Sequence, residues 1–284
     1  MTNNYKITVI GSGTMGNGIA HVCAQSGFQT LLIDIDKGQL EKAMKSINMN
    51  LDRQINKKII TKDLKLNTLN NLEVSTNLEN CSHSNLIIEA VPEKFKLKSS
   101  IFKKLDKICD KKTIFASNTS SISISNLGDQ TNRADKFIGM HFMNPVPIMK
   151  LVEVINTIHT SEETTNEIIE ISKSMKKIPI QCNDYPGFVS NRILMPMINE
   201  AIFCLEQNVA TKEAIDEIMM LGMSHPMGPL KLADFIGLDV CLDIMEVLLK
   251  GFNDLKYRPC NLLKTMVSSG LLGKKTGRGF YTYD

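Results

Sequence analysis

The sequence predicts an α/β fold for its first two thirds and an all-α fold for the remainder. Three observations support this prediction: a glycine-rich turn follows a short apolar strand near the N-terminus, strand and helix patterns alternate to about residue 182, and helical periodicity dominates after residue 184. A chain of 284 residues also exceeds what one hydrophobic core usually organises. We therefore expect one domain over residues 1–183 and a second over residues 184–284.

The first element is typical of a dinucleotide-binding turn. A short apolar strand at residues 5–10 leads into Gly11, Gly13 and Gly16 of the motif GSGTMG, and a helical pattern follows. The first glycine permits a tight turn, the second lets the backbone approach a pyrophosphate, and the third lets the helix pack closely on the strand. This order of strand, glycine turn and helix predicts a Rossmann-type, doubly wound and mostly parallel sheet.

The second strand, at residues 28–33, ends in Asp34, 18 residues beyond the third glycine of the motif. An acidic side chain there accepts hydrogen bonds from ribose hydroxyls and repels a 2′-phosphate, so the sequence predicts NAD as the cofactor in preference to NADP. Thr14 and Met15 open the intervening helix, whose free N–H groups favour the pyrophosphate. The alternative is an ordinary strand–helix–strand turn that binds nothing.

Strand and helix patterns continue to residue 182. Hydrophobic periodicity predicts further strands at residues 72–75, 85–89, 113–117, 137–142, 150–155 and 178–182. It predicts helices at residues 37–58, 94–108 and 162–175, with an irregular polar segment up to Asn71. Ser161, which is followed by two glutamates, is a typical N-cap for the last of these helices.

The C-terminal region has the pattern of a helical domain, in which Thr211 is placed as an N-cap. Apolar residues at helical spacing are expected to form its core rather than a ligand groove: Met195, Met197, Ile198, Ile202, Leu205, Ile215, Ile218 and Met219. A small helical domain of this kind exposes apolar surface that a partner chain can cover. We therefore expect a homodimer, or a higher homo-oligomer, through this domain.

Composition and charge argue against several classes of partner. The formal net charge is +3 and the lysines occur as scattered pairs, so we expect neither nucleic acid nor a membrane as a partner. The seven cysteines form no C-x-x-C motif, and no signal peptide or long apolar run is evident, so we expect reduced thiols and a cytoplasmic location. The five histidines show no paired ligand spacing, so we expect no metal.

Polar side chains follow several of the predicted strands. In an open parallel sheet the ligand crevice lies beyond the carboxyl ends of the strands. We therefore expect one rim of the sheet to be lined by Asp34, Glu89, Ala90, Asn118, Ser120, His141 and Asn144.

Glu153 stands alone inside the apolar run LVEVI at residues 151–155. A carboxylate within a buried strand is costly unless another group pairs with it. The nearest candidate is His141, across the turn at residues 144–147. The sequence therefore predicts a His–Glu pair next to the dinucleotide site.

Several motifs resemble those of the L-3-hydroxyacyl-CoA dehydrogenase family. They occur in order along essentially the whole chain: GSGTMG, ASNTSS, MHFMNPVP, LVEV, DYPGFVSNR, PMGP and KKTGRGFY. The stand-alone length is similar to that of bacterial members that act on 3-hydroxybutyryl-CoA. The resemblance implies an NAD-dependent oxidoreductase that interconverts an (S)-3-hydroxyacyl-CoA and a 3-oxoacyl-CoA, with a short acyl chain favoured, in fatty acid or butanoate metabolism.

The resemblance also implies roles for individual residues. His141 would act as the general acid/base, and Glu153 would orient its ring and stabilise the imidazolium. Ser120 and Asn191 would hydrogen-bond the substrate near the reacting oxygen and the thioester carbonyl. On the cofactor side, the residues expected are Glu89, Ala90, Glu93, Lys98, Asn118 and Asn144.

Other interpretations stay open at this point. Arg53 and Lys57, on one helix face, would meet the phosphates of coenzyme A or would merely be solvated. A hydrolase triad of Ser120, His141 and Glu153 is disfavoured because no G-x-S-x-G motif surrounds the serine. A non-catalytic NAD-binding protein would lack a complete acid/base pair, whereas here both His141 and Glu153 are present. A related dehydrogenase of a non-CoA hydroxy acid, of the gulonate or carnitine type, is the main alternative.

Overall fold

The computed structural model describes residues 4–283 and divides the chain into two compact units, the first ending at Asp184 and the second beginning at Tyr185. The first unit combines strands and helices, whereas the second is helical. Each unit has a hydrophobic core of its own. This architecture confirms the predicted fold class.

Within the described residues, the first unit contains one eight-stranded sheet. Its strands are β1 (Lys6–Ile10), β2 (Gln29–Ile33), β3 (Leu72–Ser75), β4 (Leu86–Glu89), β5 (Ile114–Ser117), β6 (Phe137–Phe142), β7 (Leu151–Asn156) and β8 (Ile178–Asn183). Their order is β3-β2-β1-β4-β5-β6-β7-β8, and neighbours run parallel except for the antiparallel pair β6 and β7. Because the order reverses between β1 and β4, the crevice of this sheet lies at the carboxyl ends of those strands.

The helices of the first unit are α1 (Thr14–Gln25), α2 (Lys37–Asn56), α3 (Lys62–Asn70), α4 (Phe95–Ile108), α5 (Ile124–Gly128) and α6 (Glu162–Ser174). Strands β4, β5 and β6 are buried along their whole length, as expected of central strands covered on both faces. Ser161 caps α6 as predicted, because its side chain accepts a hydrogen bond from the backbone N–H of Thr164 at 3.1 Å.

Helix α3 corrects the prediction of an irregular polar segment up to Asn71. The hydroxyl of Thr61 accepts a hydrogen bond from the N–H of Leu64 at 3.2 Å and so caps the helix. Leu69 packs against the core of the first unit, and Thr68 is fully buried. The prediction was wrong because a polar nine-residue helix with so few apolar positions depends on tertiary packing, which periodicity does not detect.

The second unit consists of α7 (Ser190–Glu206), α8 (Lys212–Met223), α9 (Pro229–Ile236), α10 (Leu238–Phe252) and α11 (Asn261–Ser268). Thr211 caps α8 as predicted. Of the apolar residues named from the sequence, Met195, Ile198, Ile202 and Ile215 are buried in the core. Ile218 is instead 59% exposed, because it lies on the outer face of α8.

Two buried aspartates tie the last residues of the second unit to its helices. Asp234 accepts hydrogen bonds from the N–H groups of Phe280 and Tyr281, both at 2.9 Å, and from the hydroxyl of Tyr283 at 3.0 Å. Asp216 accepts one from the hydroxyl of Tyr281 at 2.9 Å. The C-terminal segment is therefore part of this core. In the described part of the chain, no helix is both long and apolar enough to cross a lipid bilayer.

Candidate active site

The turn between β1 and α1 has the geometry that a dinucleotide pyrophosphate requires. Gly11 has φ of +97°, and a Cβ there would lie 2.7 Å from the carbonyl oxygen of Ala90. A Cβ on Gly16 would lie 1.7 Å from the carbonyl oxygen of Gly11. Gly13, by contrast, faces open space and directly precedes the N-terminus of α1. The residues present therefore fit NAD, because the turn lets a phosphate approach the helix N–H groups closely.

Asp34 follows β2 and is held in place by backbone and side-chain donors. Its carboxylate accepts hydrogen bonds from the N–H and the hydroxyl of Ser12, at 2.7 and 2.8 Å, and from the N–H of Asp36 at 3.0 Å. Burial opposes ionisation of Asp34, but these hydrogen bonds outweigh it and hold the pKa below its usual range. Asp34 is thus a fixed negative charge beside the glycine turn, which suits a ribose and repels a phosphate.

His141 and Glu153 form the pair that the apolar strand pattern predicted. They face each other across the antiparallel pair β6 and β7. The Nδ1 atom of His141 lies 2.7 Å from Oε2 of Glu153, and the two residues are 8% and 4% exposed. A carboxylate at this distance accepts the Nδ1–H bond, so the ring tautomer is set by Glu153.

Ser120 lies in the turn after β5 and shares a carboxylate with its neighbours. Oε1 of Glu93 accepts hydrogen bonds from the backbone N–H of Ser120 at 2.9 Å and of Ser121 at 3.1 Å. It also accepts one from the hydroxyl of Thr119 at 2.5 Å. Burial opposes ionisation of Glu93, but the charge of Lys98 and these donors hold its pKa below the usual range.

Beneath Glu93 lies a buried ion pair between Glu89 and Lys98, which are 0% and 1% exposed. The Nζ atom of Lys98 lies 2.7 Å from Glu89 Oε1 and 3.1 Å from Glu93 Oε2. Burial raises the pKa of Glu89 despite the charge of Lys98 and a hydrogen bond from the hydroxyl of Ser117 at 2.6 Å. Contact of these two side chains with a cofactor stays a prediction, whereas Lys98 supports Glu93 directly and Glu89 supports it through Lys98.

Two asparagines flank the acid/base pair. The side-chain oxygen of Asn118 accepts a hydrogen bond from the N–H of Phe142 at 2.9 Å, which joins the end of β5 to the residue after His141. Asn144 is exposed in the turn between β6 and β7. Both residues lie at the edge of the sheet that also carries the glycine turn.

The turn between β6 and β7 is held from two sides. Val146 is 2% exposed, and its Cβ would lie 2.9 Å from a Cβ placed on Gly18 of α1, so only glycine fits there. Lys177 donates hydrogen bonds to the carbonyl oxygens of Val146 and, at 2.7 Å, of Met149. Burial lowers the pKa of Lys177. This turn is thus fixed between the dinucleotide helix and the start of β8.

The remaining predicted residues lie elsewhere. Arg53 and Lys57 are exposed at the C-terminal end of α2, and Arg53 donates to the side chain of Asn50 at 3.2 Å. Since α2 has 20 residues and begins beside Asp34, its last turn is roughly 30 Å along the helix from that residue. Asn191 is the second residue of α7 in the second unit and is 8% exposed.

Sequence patterns did not single out Ser12, Thr119 or Lys177, although each holds part of the site. Ser12 carried a signal, since it stands inside the glycine motif between Gly11 and Gly13. Thr119 likewise stands inside the motif ASNTSS, but its partner Glu93 lies 26 residues away along the chain. Lys177 carried no signal, because its partner lies 31 residues away. Contacts at such separations exist only once the sheet has formed.

A dinucleotide turn and a buried histidine–carboxylate pair on one sheet define a nicotinamide-dependent dehydrogenase. Comparison with known proteins agrees. The profile described as "3-hydroxyacyl-CoA dehydrogenase, NAD binding domain" matches residues 6–185, and "3-hydroxyacyl-CoA dehydrogenase, C-terminal domain" matches residues 187–283. The chain belongs to the 3-hydroxyacyl-CoA dehydrogenase family, as its motifs predicted.

Relatives with nearly the same length support this assignment. A probable 3-hydroxybutyryl-CoA dehydrogenase of Bacillus subtilis is 51% identical over 279 residues, which cover 98% of this chain and 97% of the relative. The mitochondrial hydroxyacyl-coenzyme A dehydrogenase of Homo sapiens is 42% identical, covering 98% and 90%. The crystal structure of (S)-3-hydroxybutyryl-CoA dehydrogenase from Ralstonia eutropha superposes with a TM-score of 0.95 at 47% identity, covering 98% and 99%.

Proposed function

We propose that this protein interconverts (S)-3-hydroxybutyryl-CoA and acetoacetyl-CoA with NAD as the redox partner. The observation that carries the proposal is the His141–Glu153 pair, 2.7 Å apart and buried, on the same sheet as the dinucleotide turn. NAD held at the Gly11–Gly16 turn would supply the hydride transfer to or from C3 of the acyl group. A reaction of this kind belongs to fatty acid or butanoate metabolism.

The acid/base step falls to His141. With Nδ1 donating to Glu153, Nε2 takes the proton of the 3-hydroxyl as C3 is oxidised, and returns a proton to the oxygen during reduction. The carboxylate of Glu153 stabilises the imidazolium formed in the first case and keeps the ring oriented in both. No residue of the pair has to move, because the register of β6 and β7 already places them together.

Substrate and cofactor contacts are assigned to residues at the strand ends and to one in the second unit. Ser120 and Asn191 are proposed to hydrogen-bond the substrate oxygen and the thioester. Asp34 would hold the adenosine ribose, and the Gly11–Gly16 turn, including Thr14 and Met15, would hold the pyrophosphate. Glu93, Asn118 and Asn144 are proposed to contact the nicotinamide side of the cofactor. Glu89, Ala90 and Lys98 are proposed to complete the cofactor site next to them.

Arg53 and Lys57 are proposed to bind phosphates of coenzyme A. Both are exposed, one helical turn apart at the end of α2, and each can donate hydrogen bonds to phosphate oxygens. Replacing both by glutamine should raise KM for acetoacetyl-CoA, with little change in kcat, because the phosphates lie far from the reacting carbon. An unchanged KM would assign the pair to a solvated helix face.

The second unit is proposed to mediate homodimerisation or a higher homo-oligomer. Its helix α8 exposes Ile218, Leu221 and Met223 to 59%, 83% and 62%, which is unusual for large apolar side chains so close together. Light scattering on the protein eluted from a size-exclusion column measures the mass directly. A Leu221→Glu variant should have the mass of the monomer, and a monomeric wild-type protein would contradict the proposal.

The reaction itself is tested by following NADH oxidation with acetoacetyl-CoA, beside NADPH and beside free acetoacetate. We expect oxidation of NADH by the thioester and little by the free acid. Activity with the free acid alone would assign the protein to a non-CoA hydroxy acid dehydrogenase. Equal activity with NADH and NADPH would contradict the proposed role of Asp34 in selecting NAD over NADP.

A further inference from the structure

Thr119 is a fully buried threonine between Asn118 and Ser120, and the proposed reaction assigns it no role. Its hydroxyl makes three contacts across the turn. It donates to Glu93 Oε1 at 2.5 Å, and it accepts from the N–H of Ile122 at 2.9 Å and of Ser121 at 3.3 Å. The turn is also held on Glu93 Oε1 by the N–H and hydroxyl groups of Ser120, at 2.9 and 3.3 Å, and of Ser121, both at 3.1 Å. The Thr119 hydroxyl is the shortest of these contacts between the turn and the segment before α4.

The acceptor of that hydroxyl is fixed from the buried side. Oε2 of Glu93 pairs with Lys98, and Lys98 is anchored in turn on Glu89 at 2.7 Å. Glu89 accepts a hydrogen bond from Ser117, and the hydroxyl of Ser117 accepts one from the N–H of Thr119 at 3.3 Å. The contacts form a closed ring from Thr119 through Glu93, Lys98, Glu89 and Ser117 back to Thr119. The position of Glu93 is therefore fixed by its buried partners, and Glu93 in turn fixes the position of the turn.

Another buried threonine shows what a purely structural hydroxyl looks like. Thr113 lies just before the other end of β5, is 1% exposed, and donates to the backbone carbonyl of Ser84 at 2.7 Å. Thr119 instead donates to a carboxylate held by an ion pair, directly beside the serine proposed to bind substrate. A hydrogen bond to a charged acceptor is stronger and more directional than one between neutral groups.

We propose that Thr119 is a positioning residue for the reaction. Its hydroxyl locks the turn at residues 119–122 onto Glu93 and thereby directs the hydroxyl of Ser120 at the reacting oxygen of the substrate. Misplacement of a substrate contact by about 1 Å costs on the order of 100-fold in rate, so a locked turn has a direct effect on catalysis. The inference rests on the proposed role of Ser120 as a substrate contact.

The test compares Thr119→Val, Thr119→Ser and the matched control Thr113→Val. Each valine replaces one buried hydroxyl by a methyl group of similar size, at opposite ends of the same strand. The measurements are kcat and KM for acetoacetyl-CoA with saturating NADH, the Kd for NADH by fluorescence, and the melting temperature. Ser120→Ala is measured beside them.

We expect Thr119→Val to lower kcat/KM for acetoacetyl-CoA by about 10- to 100-fold, chiefly through kcat, because a positioning contact acts in the transition state. The Kd for NADH should stay within about two-fold, and Thr119→Ser should recover most of the loss. Thr113→Val should lose some thermal stability, since it also deletes a buried hydrogen bond, and keep kcat/KM within about two-fold.

Normal kcat/KM in Thr119→Val, no recovery in Thr119→Ser, or an equal loss in Thr113→Val would overturn the inference. If Ser120→Ala is itself fully active, the role of Ser120 fails and the inference fails with it. If Ser120→Ala is impaired and Thr119→Val is not, only the inference fails. Should Thr119→Val not fold, Thr119→Ala replaces it: a kcat loss with unchanged NADH Kd supports positioning, and a normal kcat contradicts it.

Discussion

Two buried pairs of a basic and an acidic side chain in the first unit have nearly the same geometry and opposite consequences. Arg133 and Asp106 lie 2.7 Å apart near the amino ends of β5 and β6, with side chains 6% and 8% exposed. His141 and Glu153 lie 2.7 Å apart toward the carboxyl end of β6, with side chains 10% and 5% exposed. Distance and burial do not distinguish them. The difference lies in what else each basic side chain can do.

Arg133 cannot take part in a reaction because hydrogen-bond acceptors of the protein surround its guanidinium. Besides Asp106, its guanidinium donates to the carbonyl oxygens of Asp110 at 2.6 Å and of Thr113 and Cys109 at 3.3 Å. Its Cζ lies 4.4 Å from the ring centre of Phe115. A guanidinium also keeps its proton throughout the neutral range. The pair therefore joins loops and has no proton to exchange.

The histidine pair instead combines an imidazole, a group suited to general acid–base catalysis, with an orienting carboxylate. It also lies at the edge of the sheet that carries Asp34 and the glycine turn, as expected for the crevice of an open parallel sheet. A buried pair of this kind thus indicates function when it faces the ligand edge and its basic member is suited to acid–base catalysis. Variants of the two pairs test this distinction.

The largest effect is expected for Glu153→Gln. The amide keeps the shape but cannot stabilise the imidazolium, so kcat should fall by roughly 10²- to 10⁴-fold while the protein stays folded. Steady-state kinetics and circular dichroism measure the two quantities. Asp106→Asn is the matched control, since it makes the same change in an equally buried pair, and near-normal kcat in Glu153→Gln would refute the acid/base assignment.

The next effect is on stability alone. Arg133→Met leaves Asp106 buried without its cation and should lower the free energy of unfolding by about 3–5 kcal/mol. Activity per folded molecule should be unchanged, because Arg133 lies at the end of the sheet opposite the crevice. Urea denaturation and kinetics at low temperature check both statements. A specific loss of kcat would show that the amino-end pair is coupled to the site.

The smallest effect concerns acid stability. Burial opposes ionisation of Asp106, but hydrogen bonds from Asn132 and the charge of Arg133 hold its pKa below the usual range. A depressed pKa in the folded state contributes stability that is present above the unfolded value of about 3.9 and is lost as pH falls through the folded value. The melting temperature of Asp106→Asn should therefore fall less steeply than that of the wild type below about pH 4. Parallel curves would contradict the assignment.

The sequence predicted much of the fold because its signals are local. The glycine turn, the apolar strands and the caps at Ser161 and Thr211 each depend on residues a few positions apart, and the structure contains each of them. Helix α3 was missed, since a short polar helix is stabilised by neighbours rather than by its own pattern.

The pairing of His141 with Glu153 could be predicted because two physical facts coincide. A carboxylate in an apolar strand requires a partner, and two strands joined by a short turn pair in antiparallel order. Arg133 offered no such signal. It was one basic residue in a polar loop, and its acceptors come from residues 20 to 27 positions away.

By itself, the sequence determined the order of strands and helices, the dinucleotide turn, the partner of Glu153 and the family, because local spacing and motifs encode these features. Only the tertiary structure decided which buried charges support the site and which merely join loops. It showed that Glu93 binds the turn carrying Ser120 and that Arg133 is enclosed by carbonyl groups. The physical reason is that a charge acquires its role from groups brought together by folding, and these groups are far apart along the chain.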